Sequence, residues 1–200
     1  MKLAALILAA GRSRRFGADN KLLASLGGEA VIRQTVTVVR RAGISDIVAV
    51  TGPHGDAIEA VLHDLPVRCV RCSDDLDGMG YSIAAGAGAL VADIDGVVIV
   101  PGDMPLLSAA SVRMLLSAFG AQGGRRIVHA ADAMGAQRNP VIWPRAMFAE
   151  LTALRGSEGA KALIRNAVAV RIPDRELLDI DTAANFATAR EAIGKTSSLD

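Results

Sequence analysis

Three short segments of this 200-residue chain combine residue types that handle phosphates and metal ions. The first, Ala10-Gly-Arg-Ser-Arg-Arg-Phe-Gly17 followed by Lys21, sets glycines among the cations Arg12, Arg14, Arg15 and Lys21. Glycine lets a backbone come close to a ligand, and exposed N–H groups beside guanidinium and ammonium charge suit the oxyanions of a polyphosphate. The second is Thr51-Gly-Pro-His54, and the third, Pro101-Gly-Asp-Met-Pro105, adds the carboxylate of Asp103. A carboxylate next to bound phosphates is repelled unless a divalent cation lies between them, so Asp103 points to Mg²⁺ held jointly by carboxylate and phosphate oxygens. Taken singly, each segment also reads as a solvated basic loop or an ordinary turn; the coincidence of three favours a phosphate site.

For these segments to meet, each must follow a strand of one sheet. Apolar runs at Leu3 to Ala9, Ile47 to Thr51, Val67 to Val70, Gly96 to Val100 and Ile127 to Ala130 are short, β-rich and apolar throughout, as expected for strands buried on both faces. Between them lie stripes with helical spacing: Ile58, Val61, Leu62 and Leu65; Ile83, Ala87, Leu90 and Val91; Val112, Leu115, Leu116 and Phe119. Val31 to Arg41 carries β-branched residues but has helical length. After Ala130 come an extended piece at Asn139 to Pro144, helical residues around Phe148, Leu151, Ala160, Leu163 and Ile164, a last strand at Ala167 to Ile172, and a closing helix at Thr182 to Ile193 with Asp181 as its N-cap. The alternation predicts an α/β fold: a three-layer, Rossmann-like, mostly parallel sheet flanked by helices. In such sheets ligands bind outside the carboxyl ends of the strands, which is where all three segments fall. One domain over residues 1–194 is expected, with 195–200 as a flexible tail.

Composition narrows the partners. Lys and Arg number 22 against 21 Asp and Glu, and aromatic residues make up 3%, so neither the basic surface nor the stacking platforms of a nucleic-acid binder are present. No apolar run approaches the ~20 residues of a membrane helix, and the run after Lys2 leads straight into the glycine-arginine segment, so it reads as a strand rather than a secretory signal. Two cysteines without a signal imply a reducing cytoplasm.

Other patterns carry less. Gly11 and Gly17 lack a following Gly-Lys-Ser/Thr, and no G-x-G-x-x-G opens the first turn, which excludes a P-loop and a dinucleotide fingerprint. Cys69-Val-Arg-Cys72 has metal-like spacing, but residues three apart in a strand face opposite ways, so both cysteines read as structural. Ser82, Asp103 and His129 fall in hydrolase order, yet polar loop rather than strand precedes the serine. His54 and His63 read as loop and surface residues, and Trp143 as packing.

The segments resemble the molybdenum-cofactor nucleotidyltransferases, above all the molybdopterin cytidylyltransferases, within the nucleotide-diphospho-sugar transferase type of fold. Leu8-Ala-Ala-Gly-Arg-Ser-Arg-Arg-Phe-Gly17 with Lys21 is similar to that family's nucleotide loop, Gly78-Met-Gly-Tyr-Ser82 to its second glycine-serine turn, and Pro101-Gly-Asp-Met-Pro105 to its metal-binding turn. Asn139-Pro-Val resembles an acceptor-side motif, with Arg138 standing where the family has glycine, and Asp179-Ile-Asp-Thr182 a second metal-proximal one. The resemblance implies transfer of a nucleoside monophosphate from a nucleoside triphosphate to the terminal phosphate of molybdopterin or the molybdenum cofactor, with release of pyrophosphate. It further implies catalytic roles for Lys21, Arg15 and Asp103, and metal ligation by Asp103 and Asp181. Nucleotide contacts are expected from Leu8, Ala9, Ala10, Gly11, Arg12, Ser13, Arg15, Lys21, Thr51, Gly52, Gly80, Ser82 and Asp103, and acceptor contacts from Arg138 and Asn139. Ala10, where guanylyl-transferring relatives have glycine, narrows the base pocket and implies CTP. Other expected partners are a molybdoenzyme or its chaperone. Alternatives are guanylyl transfer to the same cofactor, a sugar-phosphate acceptor, or a non-catalytic nucleotide-binding cofactor chaperone; retention of Lys21 and both aspartates favours an enzyme.

Overall fold

A computed structural model describes residues 1–11, 13, 16, 20–73 and 78–196. The elements run β1 (Leu3–Ala9), β2 (Ser25–Leu26), β3 (Glu29–Ala30), α1 (Val31–Arg41), β4 (Asp46–Thr51), α2 (Gly55–Leu62), β5 (Arg68–Arg71), α3 (Met79–Gly88), β6 (Gly96–Pro101), α4 (Ala109–Ala121), β7 (Val128–Ala131), β8 (Gln137–Pro144), α5 (Phe148–Ala153), β9 (Val168–Arg171) and α6 (Ala183–Thr196). β2 and β3 form a small antiparallel ribbon, and the other seven strands form one sheet in the order β5-β4-β1-β6-β8-β7-β9. Every neighbouring pair in that sheet is parallel except the two made by β8.

Side-chain alternation along β1 divides the core. Ala5, Ile7 and Ala9 face a cluster built with α1, α2, α4 and α6, while Ala4 and Leu6 face a second cluster built with α3 and α5. Both faces are covered, which is why the central strands β1 and β6 are apolar throughout. The chain places β1, β4 and β5 in one direction across the sheet and then returns to lay β6 on the other side of β1. The order therefore reverses at β1, and the crevice at its carboxyl end is the place where such sheets bind ligands.

Packing decides the ambiguous segments. In α1 the residues Val31, Ile32, Thr35, Val36 and Val39 form one buried stripe, so helical packing overrides the local strand preference of Val36-Thr-Val-Val39. α3 ends at Gly88, short of the expected stripe, and Val91 is exposed. Around Ala160 to Ile164 only a 3₁₀ turn, Lys161–Leu163, forms. The closing helix is capped by Thr182 and not by Asp181: the Thr182 hydroxyl accepts from the Asn185 N–H at 3.2 Å, and the helix continues through Thr196. Asp181 is instead drawn toward Lys21. Cys69 packs on the α2 side of the sheet and Cys72 on the α3 side, and Trp143 is fully buried. Ser82 lies inside α3, which removes the strand that a nucleophile elbow requires. No helix among the described residues is long and apolar enough to cross a membrane.

Candidate active site

The loop after β1 is shaped by Asn20, a nearly buried residue whose Oδ1 accepts from the Leu22 N–H at 3.0 Å and from the Ser13 hydroxyl at 3.2 Å. The Ser13 hydroxyl oxygen in turn accepts from the Lys21 N–H at 3.3 Å. Leu22 buries its side chain in the core, which leaves the adjacent Lys21 directed to the cleft. On the neighbouring strand, the Gly102 N–H donates to the Leu8 carbonyl at 2.9 Å, and the buried Thr35 hydroxyl donates to the Gly102 carbonyl at 3.1 Å. A Cβ at Gly102 would lie 2.8 Å from Ile32 Cδ1 and 3.0 Å from the Leu8 carbonyl oxygen, so glycine lets this turn sit against β1 without displacing either.

One backbone bond joins the distant carboxylates: the Ile180 N–H donates to the Asp103 carbonyl at 3.0 Å. Ile180 is fully buried, and its neighbours Asp179 and Asp181 both face the cleft. Lys21 Nζ lies 2.5 Å from Asp103 Oδ2 and 2.8 Å from Asp181 Oδ1. Burial alone would lower the Lys21 ammonium, but Asp103 and Asp181 together outweigh that and hold it above its ordinary value. Asp179 is the residue that sequence reasoning left without a role. Its Oδ1 is buried without a hydrogen-bond partner among the described residues, and burial, followed by the charges of Asp103 and Asp181, pushes its carboxyl up to about 7. The signal was present in Asp179-Ile-Asp181, because an apolar residue between two carboxylates in an extended segment turns both to one side.

These residues line a cleft of about 340 Å³. Leu8, Ala10 and Gly11 come from the end of β1 and just past it, Gly52 and Pro53 from the loop after β4, Cys72 and Ser73 from just past β5, and Pro101 and Asp103 from the end of β6 and the turn after it. Met79 and Ser82 come from the first turns of α3, whose N-terminus faces anions favourably. Asn139 joins from β8, whose reversed direction brings its first residues to the same edge. A Cβ at Gly52 would lie 2.8 Å from the Ala10 carbonyl oxygen, so glycine lets these two loops touch.

Of the expected nucleotide contacts, Leu8, Ala10, Gly11, Lys21, Gly52, Ser82 and Asp103 line the cleft. Ala9 and Thr51 do not: as members of β1 and β4 they turn their side chains into the interior. Ser13 acts through the Lys21 backbone, and Gly80 packs on the turn after α5, its N–H donating to the Gly156 carbonyl at 2.9 Å. Arg12, Arg14 and Arg15 lie outside the described residues. Arg138 lines no part of the cleft; strand alternation turns it away from Asn139, and its Nε sits 3.3 Å from Asp132.

Among the described residues, no three His, Cys, Asp or Glu side chains form a metal cage by themselves. Asp103 and Asp181, joined through Lys21, nevertheless fit Mg²⁺, which binds through one or two carboxylates plus substrate phosphates and water rather than an all-protein cage.

Residues 5–172 match the model of the MobA-like NTP transferase domain. The chain is 30% identical to the bifunctional protein GlmU of Kineococcus radiotolerans over 96% of its own length and 38% of that relative's. It spans about a quarter of the length of several other GlmU relatives. The crystal structure of Rv0371c with manganese from Mycobacterium tuberculosis superposes with a TM-score of 0.81 at 23% identity, over 96% of this chain and 100% of that one. The structure of CMP:2-keto-3-deoxy-manno-octonic acid synthetase complexed with CTP superposes at 0.76 with 13% identity, over 98% of this chain and 100% of that one. These superpositions show that the chain shares its fold, a mostly parallel sheet flanked by helices, with these neighbours. The family match runs from within β1 to just past β9 and takes in all of the large sheet but the first two residues of β1, together with Lys21 and Asp103: the chain belongs to the MobA-like NTP transferase domain family.

Proposed function

We propose that this chain transfers a nucleoside monophosphate, CMP from CTP, onto the terminal phosphate of molybdopterin or the molybdenum cofactor, releasing pyrophosphate. The observation that carries this reading is Lys21 held between Asp103 and Asp181 in a cleft at the point where the strand order reverses. An oxygen of the acceptor phosphate attacks the α-phosphorus. A new P–O bond forms as the bond from the α-phosphorus to the bridging oxygen breaks, and that oxygen leaves with its electron pair on pyrophosphate. A phosphate monoester, with its second pKa near ~6, is mostly ionised at neutral pH and needs no general base.

Lys21 brings a fixed positive charge to the place where negative charge accumulates, and Arg15 is assigned the same task. Gly11 and the start of α3 offer backbone N–H groups to phosphate oxygens. Mg²⁺, when bound, supplies charge compensation between the phosphates, and Asp103 and Asp181 would hold it. The manganese complex of the mycobacterial neighbour supports a divalent-metal site in this fold. CTP is favoured because the Ala10 methyl narrows the cleft beside Gly52, and the CTP complex of the synthetase supports the fold's capacity for that nucleotide. Asn139 is the acceptor-side contact, and the product passes to a molybdoenzyme or its chaperone.

The test is incubation with each of four nucleoside triphosphates, Mg²⁺ and either molybdopterin or a sugar 1-phosphate, reading pyrophosphate release. The reading expects release with CTP and molybdopterin. Release only with a sugar phosphate would replace the acceptor, and no release under any combination would overturn the activity.

A further inference from the structure

Lys21 is held at both of its ends, and the closing helix reaches both. At the tip, Nζ meets Asp181 Oδ1 at 2.8 Å, two residues before α6 begins at Ala183. At the backbone, the Lys21 N–H donates to the Ser13 hydroxyl oxygen at 3.3 Å. Ser13 has φ +50°, a left-handed conformation that serine keeps only where its surroundings hold it. Part of what holds it leads back to α6. The Phe16 N–H donates to the Ser13 carbonyl at 2.9 Å, and the Phe16 ring meets the Phe186 ring edge to face, with centroids 5.7 Å apart and planes at 76°. Phe186 belongs to the first turn of α6, where its N–H donates to the Thr182 carbonyl at 3.1 Å. Further along the same stripe Ala189 is fully buried, and Ile193 Cγ2 would lie 3.1 Å from a Cβ at Gly27. One face of α6 therefore rests on the chain on both sides of Lys21, at Phe16 and at Gly27. The whole helix lies beyond residue 172, where the family match ends.

Resting on the nucleotidyl-transfer reading, we infer that Phe186 is a positioning residue for Lys21. By seating Phe16 it keeps the Ser13 turn, and through it the Lys21 backbone, in the arrangement that sets the ammonium between Asp103 and Asp181 for the triphosphate. α6 is then a working part of the nucleotide site as well as a cover for the core. Without the Phe186 ring the turn loses a restraint on a conformation it does not favour by itself, and the loop spends less of its time ready for nucleotide. Apparent affinity falls by the fraction of that arrangement lost.

The experiment is calorimetric titration of the full chain with CTP, GTP, ATP and UTP, each with Mg²⁺, beside thermal melts of the same samples. Phe186→Ala is expected to weaken the tightest of them, CTP on the present reading, about tenfold, and Phe186→Leu, which keeps an apolar contact for Phe16, at most about threefold. Phe16→Ala leaves α6 intact and should reproduce the tenfold loss, while the double variant should lose little more than either single one. In a Lys21→Met background, Phe186→Ala should lower Tm as before yet weaken the nucleotide less than about twofold, because its effect passes through Lys21. Nucleotide affinity of Phe186→Ala within about twofold of the wild type, with Tm alone lowered, makes the contact one of packing and overturns the inference. Losses that multiply in the double variant, or that persist in full without the Lys21 ammonium, overturn it as well. A wild-type chain that binds none of the four triphosphates overturns the nucleotidyl-transfer reading instead.

Discussion

Lys21→Met removes the ammonium that lies 2.5 Å from Asp103 and 2.8 Å from Asp181, with little change in side-chain length. The Asp103 side chain is 11% exposed, so losing its partner approaches the ~3–5 kcal/mol cost of breaking a buried pair. The Asp181 side chain is 38% exposed, and its share falls to about 1 kcal/mol or less. Because Lys21 itself keeps some solvent contact, a total of about 3 kcal/mol is expected in the absence of metal. For a domain of this size that lowers Tm by roughly 6–12 °C. A divalent cation takes over the same two carboxylates, so Mg²⁺ at ~100 times its Kd should restore about 2.7 kcal/mol. The wild type, where Lys21 already compensates the pair, should gain less. Turnover, by contrast, should stay low at any Mg²⁺ concentration, by ~10²-fold or more, since a charge positioned at the developing oxyanions is gone. Thermal melts with and without Mg²⁺, run beside pyrophosphate release, read all three effects. A variant that melts like the wild type, or whose activity Mg²⁺ fully restores, refutes the reasoning.

Four further outcomes follow from the same geometry. Ala10→Gly should relax the CTP over GTP preference in kcat/KM by the ~1–3 kcal/mol that one methyl decides, without inverting it; an unchanged ratio contradicts the steric account. Thr182→Ala should cost ~0.5–2 kcal/mol of stability with turnover kept, whereas Asp181→Asn should lose turnover with Tm nearly kept, and melts paired with kinetics separate a cap from a ligand. Gly102→Ala, whose methyl meets Ile32 and the Leu8 carbonyl, should cost ~1–3 kcal/mol and lower kcat by displacing Asp103, as checked by chemical denaturation and initial rates. Asp103→Asn and Asp181→Asn should each reduce activity severely, and the double variant should fall far short of the product of the two effects; multiplicative losses would separate the two residues functionally.

Strands, layers and the site edge are legible because burial on both faces leaves a plain mark: β1, β6 and the Ile47-Val-Ala-Val50 run of β4 are apolar, and the unusual loops follow these strands directly. What escaped depends on which way a side chain turns. Thr51 ends β4 facing the interior, although its neighbour Gly52 lines the cleft. Arg138 stands next to Asn139, but alternation along β8 sends it to Asp132. Sequence alone does not set Asp179 apart from Asp181, since the burial and the nearby carboxylates that distinguish it belong to tertiary structure. Asp181 looked like a helix cap because it precedes a helical pattern by one residue. The contact that gives it another task, Lys21, is 160 positions away in the chain and becomes visible only once Ile180 docks on Asp103.

The central claim is that the bond broken in this cleft is the one between the α-phosphorus and pyrophosphate. CTP labelled on its α-phosphorus and, in a parallel reaction, on its γ-phosphorus tests it directly when each is incubated with the chain, Mg²⁺ and molybdopterin. The account predicts that the α-label moves to the acceptor while the γ-label is released as pyrophosphate. Transfer of the γ-label to the acceptor, or release of the γ-label as inorganic phosphate with no α-label transferred, would contradict it.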